Sequence, residues 1–298
     1  MDDLKMQKQT LKKAYKKTKR KHITLWKVLT ILCAIVMVIS VPLSVLAAKF
    51  DNTMAARFGG SFWELENEDT NAQYFTSDFN SAEEMVNYGL ALTQQVEAEG
   101  AALLMNNNNA LPLAADAKVS TFSSSSVNLV YGGTGSGSMS DQYDTVSLLD
   151  GMKEAGIETN ADLTKLYTDY RADRPVVGMW AQDWTLPEVP ADQYSDSLIS
   201  DAKSFSDEAV VVLTRVGGEG ADLPMNMKAE GITYENNSKD YEDFKDGESF
   251  LQLSQTERDM LDLVTKNFNK VTLVYNGANT FQFDFLNDYP QIKSVVWC

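Results

Sequence analysis

The chain has 298 residues, 44% of them apolar and 10% aromatic, enough for one large domain or two small ones with a buried core. Its net charge is −16, yet ten of its 26 basic residues lie in residues 1–27 beside two aspartates. Residues 28–298 therefore hold 16 basic against 40 acidic side chains, a net charge of −24, and a body this acidic argues against nucleic acid as a partner. There is one histidine, His22, in the basic tail, and there are two cysteines, Cys33 and Cys298. These exclude a Ser-His-Asp or Cys-His triad, a disulfide framework and a metal site built on histidine or cysteine. Neither a metal nor a cofactor is expected, and any chemistry rests on carboxylates, hydroxyls, lysine or arginine.

The basic tail, 1–27, runs into "VLTILCAIVMVISVPLSVLAA", residues 28–48, which carry no charge over 21 positions. About 20 such residues cross a bilayer as a helix, and Pro42 is tolerated in a membrane helix. Basic residues on one side only predict a cytoplasmic N-terminus and an outward-facing body. Small residues near Val45-Leu46-Ala47 leave a cleavable signal peptide open, although the run exceeds the roughly 7–15 residues usual for one. Both readings export the body. An exported domain without paired cysteines fits a bacterial surface, with the chain a single-pass protein of the cell membrane.

Residues 49–80 are polar and dotted with aromatics, and are expected to be an extracellular linker. From 81 on, helix and strand signals alternate. A capping box, Ser81 to Glu84, opens a helix with Met85, Tyr88, Leu92 and Val96 on one face and a stop near Gly100. The short apolar run "AALLM" precedes the turn-rich "NNNNALPL". A strand starts at Lys118 and leads to the glycine-rich loop "YGGTGSGSMS", 131–140. "TVSLLDGMKEAG" predicts a helix ended by Gly156, followed by the strand "IET" and a helix over "ADLTKLYTDY" with Leu163, Leu166, Tyr167 and Tyr170 at helical spacing. A loop rich in Trp and Pro, 171–193, precedes the helix "SDSLISDAKSFSD". "AVVVLT", 209–214, has the continuous apolar character of a buried parallel strand. A second capping box, Ser254 to Glu257, opens a helix with Met260, Leu261, Val264 and Phe268 in one stripe. The strand "KVTLVYNG", a short helix "FDFLNDYP" and the strand "IKSVVWC" complete the chain. This alternation predicts an α/β fold, a mainly parallel sheet flanked by helices in residues 81–298, preceded by one transmembrane helix. Because Cys298 directly follows a core strand, the expectation is a domain incomplete at its C-terminus, with an open sheet edge.

In such sheets ligands bind beyond the carboxyl ends of the strands. Two glycine-rich segments fall there, 132–137 and 217–220. The first lacks the Lys-Ser/Thr of a phosphate-binding P-loop and reads as a turn that shapes a pocket. The second, "TRVGGEGADLP", places Glu219 among glycines just after a buried strand. On its residues alone Glu219 is either an exposed turn carboxylate or a catalytic acid. Trp180 and Trp184 are either sugar-stacking platforms or buried aromatics.

Four stretches, in order, resemble the α/β-sandwich domain of glycoside hydrolase family 3, the β-glucosidase family. They are "EAEGAALLMNNNNALPL" (97–113), "KVSTFSSSSVNLVYGGTGSGS" (118–138), "VVVLTRVGGEGAD" (210–222) and "LSQTERDMLDLVTKNFNKVTLVYNG" (253–277). The resemblance runs from about residue 74 to the C-terminus. It implies that Glu219 is the acid/base of a retaining hydrolysis that uses two carboxylates. It also implies that the Asp nucleophile belongs to a (β/α)8 barrel, here expected downstream of residue 298. Gly133, Thr134, Gly135, Ser136, Arg215 and Asp222 are the substrate-contact candidates, for a β-linked glucoside or oligosaccharide. Two departures stand out: Leu223 follows Asp222 where the family often has Arg, and the loop 223–250 is long and polar. The competing reading is a non-catalytic carbohydrate-binding surface module or an inactive gene fragment.

Overall fold

The computed structural model describes residues 2–58, 76–139, 145–170 and 174–298. Most of the expected linker (59–75), the last residue of the glycine-rich loop, Ser140, and the start of the Trp-bearing loop (171–173) lie outside them. The chain forms two compact units, residues 1–78 and 79–298.

In the first unit the basic tail and the apolar run form one helix, α1 (Asp2–Lys49), which continues through Pro42; α2 (Asp51–Phe58) follows. At about 1.5 Å per residue the uncharged stretch is roughly 32 Å long, close to the thickness of a bilayer's hydrocarbon core. Among the described residues α1 is the one helix long and apolar enough to cross a membrane, and its most apolar stretch is wholly unburied.

The second unit opens with α3 (Ala82–Gly100). Its N-cap is half of the expected capping box. The Ser81 hydroxyl accepts from the Glu84 amide, but the Glu84 carboxylate reaches past Ser81 to the Asn80 amide, at 2.8 Å. The apolar face predicted for α3 is present and exposed among the described residues: Met85, Tyr88, Leu92 and Val96 are all exposed, and the Tyr88 ring lies 5.3 Å from that of Phe79. β1 (Ala102–Asn106), β2 (Lys118–Phe122), α4 (Leu148–Glu154), β3 (Glu158–Thr159) and α5 (Ala161–Tyr170) follow. Then come the two-residue strands β4 (Val177–Gly178) and β5 (Ala181–Gln182), which form a hairpin, and α6 (Asp196–Phe205). The last elements are β6 (Glu208–Thr214), α7 (Gln255–Asn267), β7 (Lys270–Asn276) and β8 (Ile292–Trp297). The expected helix "FDFLNDYP" is a single 3-10 turn, Asp284–Asp288.

The main sheet runs β1-β8-β7-β6-β2-β3. Every pairing is parallel except β1 with β8. β8 is thus not the open edge that its place at the end of the chain suggests, because β1 folds back antiparallel beside it. β6 lies at the centre, buried on both faces, which is why its sequence does not alternate. Val211 and Leu213 pack with residues of α5, α6 and α7, among them Leu163, Ile199, Met260, Leu261 and Val264. Val210 and Val212 face the other way, toward Leu148 and Met152 of α4. From β2 the chain moves to β3 on one side and later to β6 on the other. The strand order therefore reverses between β2 and β6, and in open α/β sheets ligands bind beyond the carboxyl ends at such a place.

Arg215, the first residue beyond β6, is completely enclosed. Its five N–H groups donate to the carbonyls of Thr214, Phe250 and Gln252 and to both oxygens of Glu257, the latter at 2.7 Å. The guanidinium lies over the rings of Phe281 and Phe250, 4.8 and 5.3 Å from their centroids. Glu257 also completes the second capping box, since its carboxylate accepts from the Ser254 amide while its own amide donates to the Ser254 hydroxyl. Glu257→Gln would leave a buried guanidinium without its counter-charge, and removing one partner of such a pair costs roughly 3–5 kcal/mol. We expect a loss of that order in urea denaturation followed by circular dichroism.

Candidate active site

The two glycine-rich loops leave the sheet from the adjacent strands β2 and β6 and meet above the reversal point. After β2 the chain turns at Ser123 (φ 84°) into a serine-rich 3-10 turn, Ser124–Ser126. Val130 is then clamped to the end of β7: its amide donates to Asn276 Oδ1 at 2.7 Å, and Asn276 Nδ2 donates back to its carbonyl at 3.0 Å. This sends 131–137 over the end of β6. Thr134 forms a parallel bridge with Gly218, so the loops are joined as a small extension of the sheet.

That junction explains two of the glycines. A Cβ on Gly218 would lie 1.6 Å from Thr134 Oγ1, so Gly218 is required for close approach. Gly220 adopts φ 72° and carries its backbone against Met179 of the β4–β5 hairpin, whose Gln182 donates to the Gly220 carbonyl at 2.9 Å. On the far side Ala221 is buried with Trp184, Met227, Phe244 and Phe250 in a small separate core. The long loop 223–250, polar in sequence, is thus folded around apolar anchors and buttresses the Glu219 loop from behind.

Glu219 is exposed at the crest. Its Oε2 accepts from the Ser136 amide at 3.0 Å and the Ser136 hydroxyl at 2.8 Å. These two donors, the amide first, hold its pKa below the usual glutamate value against a small opposing effect of desolvation. Gly133, Gly135 and Ser136 are exposed beside it, Thr134 is half-buried and Asp222 is exposed two residues beyond Gly220. The structure therefore gathers Glu219, Gly133, Thr134, Gly135 and Ser136 at one place. Arg215 is not among them: its guanidinium points into the body, fully used in holding the loop's base. The two tryptophans separate, with Trp184 fully buried and Trp180 93% exposed at the hairpin tip.

A second polar cluster beneath the loops was not legible in the sequence. Glu188 is buried at the head of the serine-rich turn, accepting from the amides of Ser124 (3.2 Å) and Val189 (2.8 Å). Arg174 spans nearby, donating to the Thr214 hydroxyl and the Asn128 carbonyl. Burial pushes Glu188 up to about 7, although hydrogen bonds from the Ser123 hydroxyl and the Val189 and Ser124 amides oppose it. Burial, and then the charge of Arg215, lower Arg174 to about 10.

Residues 101–298 match the family model of the glycosyl hydrolase family 3 C-terminal domain. The chain belongs to that family. The family region begins at β1 and so leaves α3 outside it. Across 207 residues, 68% of this chain, it is 32% identical to the β-glucosidase of Ruminococcus albus, of which it covers 19%. It is 26% identical to β-glucosidase A of Butyrivibrio fibrisolvens, covering 70% of this chain and 25% of that protein. The fold is similar to that of a β-glucosidase from Paenibacillus barengoltzii, at a TM-score of 0.55 and 28% identity, over 70% of this chain and 21% of that one. The chain thus spans a fifth to a quarter of the length of these β-glucosidases.

The buried carboxyl predicts a pH dependence. Below the ordinary value of 4.5 Glu188 is protonated whether the domain is folded or not. Between 4.5 and about 7 the unfolded chain gives up that proton and the folded domain keeps it, so stability falls across this window. At about 1.4 kcal/mol per unit the loss reaches roughly 3 kcal/mol. Denaturation of the wild type and Glu188→Gln at pH 4.5 and pH 8 is expected to show the variant gaining on the wild type by that order.

Proposed function

We propose that this chain is the acid/base part of a membrane-anchored, outward-facing β-glycosidase that hydrolyses β-glucosides with retention of configuration. The observation that carries this reading is the placement of Glu219, an exposed carboxylate on a buttressed loop at the sheet's reversal point, in a domain whose relatives bear the name β-glucosidase. In the first step protonated Glu219 gives its proton to the glycosidic oxygen as the C1–O bond breaks, while a second carboxylate bonds to C1. In the second step ionised Glu219 takes a proton from water, the water oxygen bonds to C1 and the second carboxylate leaves.

The nucleophile comes from outside the sandwich, from an aspartate of a (β/α)8 barrel. Among the described residues, the groups that perturb Glu219 include no second carboxylate. Gly133, Thr134, Gly135 and Ser136 shape the wall of the substrate cleft, Asp222 stands at its rim, and Trp180 offers a face for a sugar ring. Arg215 takes part only by fixing the root of the loop. Helix α1 anchors the protein with its basic end in the cytoplasm.

Two assays test this. The 298-residue chain alone is expected to release nitrophenol from an aryl β-glucoside at the background rate. In the complete protein that carries this chain together with its barrel, Glu219→Gln is expected to lower kcat/KM for cellobiose by roughly 10²–10⁴. The same substitution should leave kcat/KM for dinitrophenyl β-glucoside, whose leaving group needs no proton, little changed, while kcat on that substrate falls because the second step has lost its base. An equal loss of kcat/KM on both substrates, or none on cellobiose, would contradict the assignment.

A further inference from the structure

Glu219 is held in a way that does not suit an acid about to donate. Among the described residues both hydrogen bonds to its carboxylate come from Ser136, and both are donated to the same oxygen, at 3.0 and 2.8 Å. Donors of this kind stabilise the ionised group, and such charge-assisted bonds are about twice as strong as neutral ones. The loop is shaped for the contact. Gly135 adopts φ 75°, and a Cβ there would lie 2.7 Å from both the Cβ and Oε2 of Glu219, so the residue before Ser136 must lack a side chain for the carboxylate to reach its donors. The backbones on either side are tied independently, through the Thr134–Gly218 bridge and the Gln182–Gly220 hydrogen bond. Release of the carboxylate therefore needs only rotation of the Glu219 side chain.

Resting on the reading of Glu219 as acid/base, we propose that Ser136 is a positioning residue that parks the Glu219 carboxylate on the glycine-rich loop, and that Glu219 must leave Ser136 before it protonates a glycosidic oxygen. Proton uptake and release are coupled. Once Glu219 binds a proton from solvent its Oε2 loses the charge that strengthens both bonds, and the side chain is free to swing toward a leaving group. Ionised by the first step, the carboxylate takes a proton from water at that same position in the second step, and it returns to Ser136 when that proton passes to solvent. The parked state is the ionised resting form between turnovers. Ser136 thus sets how readily Glu219 leaves its resting position, and one working position serves both of its roles. Among the described residues, the groups around Glu219 are the uncharged loop 131–137, the uncharged hairpin 177–182 and exposed Asp222; Arg215 is turned inward to Glu257. The contact with Ser136 is therefore the local control on its ionisation.

The test is a ¹³C NMR titration of carboxyl-labelled glutamates in the full 298-residue chain in detergent, with the Glu219 signal assigned by its loss in Glu219→Gln. In the wild type Glu219 is expected to titrate below the other exposed glutamates. In Ser136→Ala it should move up toward them, with the remaining signals unchanged as the control for folding. Ser136→Thr, which keeps the hydroxyl, should restore the low value. In the complete enzyme Ser136→Ala should carry the alkaline limb of kcat/KM upward by the same shift. Identical Glu219 titrations in wild type and Ser136→Ala would overturn the proposal, even if Glu219 proves essential for cleaving cellobiose. If Ser136→Ala shifts the titration but Glu219→Gln leaves cellobiose hydrolysis intact, the contact stands, and the acid/base reading and the catalytic role drawn from it fall.

Discussion

The buried pair between Arg215 and Glu257 is the constraint on which the site depends. Arg215 directly follows the central strand and Glu257 lies in the first turn of the helix that covers it. Their two-pronged contact fixes the point at which the chain leaves the sheet. The same guanidinium collects carbonyls from residues 250 and 252, so the long loop returns to a set position beneath the Glu219 segment. A charge can stand here without water because every donor has an acceptor. The crest above can then carry three glycines without losing its place.

Above that root, shape does most of the positioning. Glycine is needed at 218 because Thr134 occupies the space a side chain would fill, and at 220 because the backbone turns left-handed against Met179. These are different demands met by the same residue type. Together they bring the β2 and β6 loops into contact at the place where the strand order reverses. The buried polar layer beneath, with Glu188 and Arg174, holds the serine-rich turn that sends the first loop across. Glu219 is thus an exposed carboxylate on a loop tied down at its base and on both sides.

Much of this fold can be read from the chain. The unbroken apolar run of β6, the capping box at Ser254 and the alternation of elements define a parallel sheet with covering helices, and both glycine-rich loops lie where those strands end. Three features were hidden, for one physical reason. Arg215 sits in a loop motif and reads as a substrate contact, but its burial is decided by residues 35 to 42 positions later. Asn276 and Glu188 act through partners 146 and 64 positions away, and nothing local marks them. The apolar face of α3 shows the opposite case, since helical spacing predicts a buried stripe and the helix exposes it. Spacing identifies a face; what covers it is a matter of tertiary contacts.

We propose Glu219 as the acid/base, as distinct from a nucleophile or a bystander. Its most direct test is the product that Glu219→Ala, in the complete enzyme, forms from dinitrophenyl β-glucoside in the presence of azide. With the base removed, the small anion enters the space left by the side chain and needs no deprotonation to attack the glycosyl-enzyme. Faster turnover with azide and β-glucosyl azide as the product are expected of an acid/base residue. α-Glucosyl azide would make Glu219 the nucleophile, and no response to azide would remove it from the chemistry.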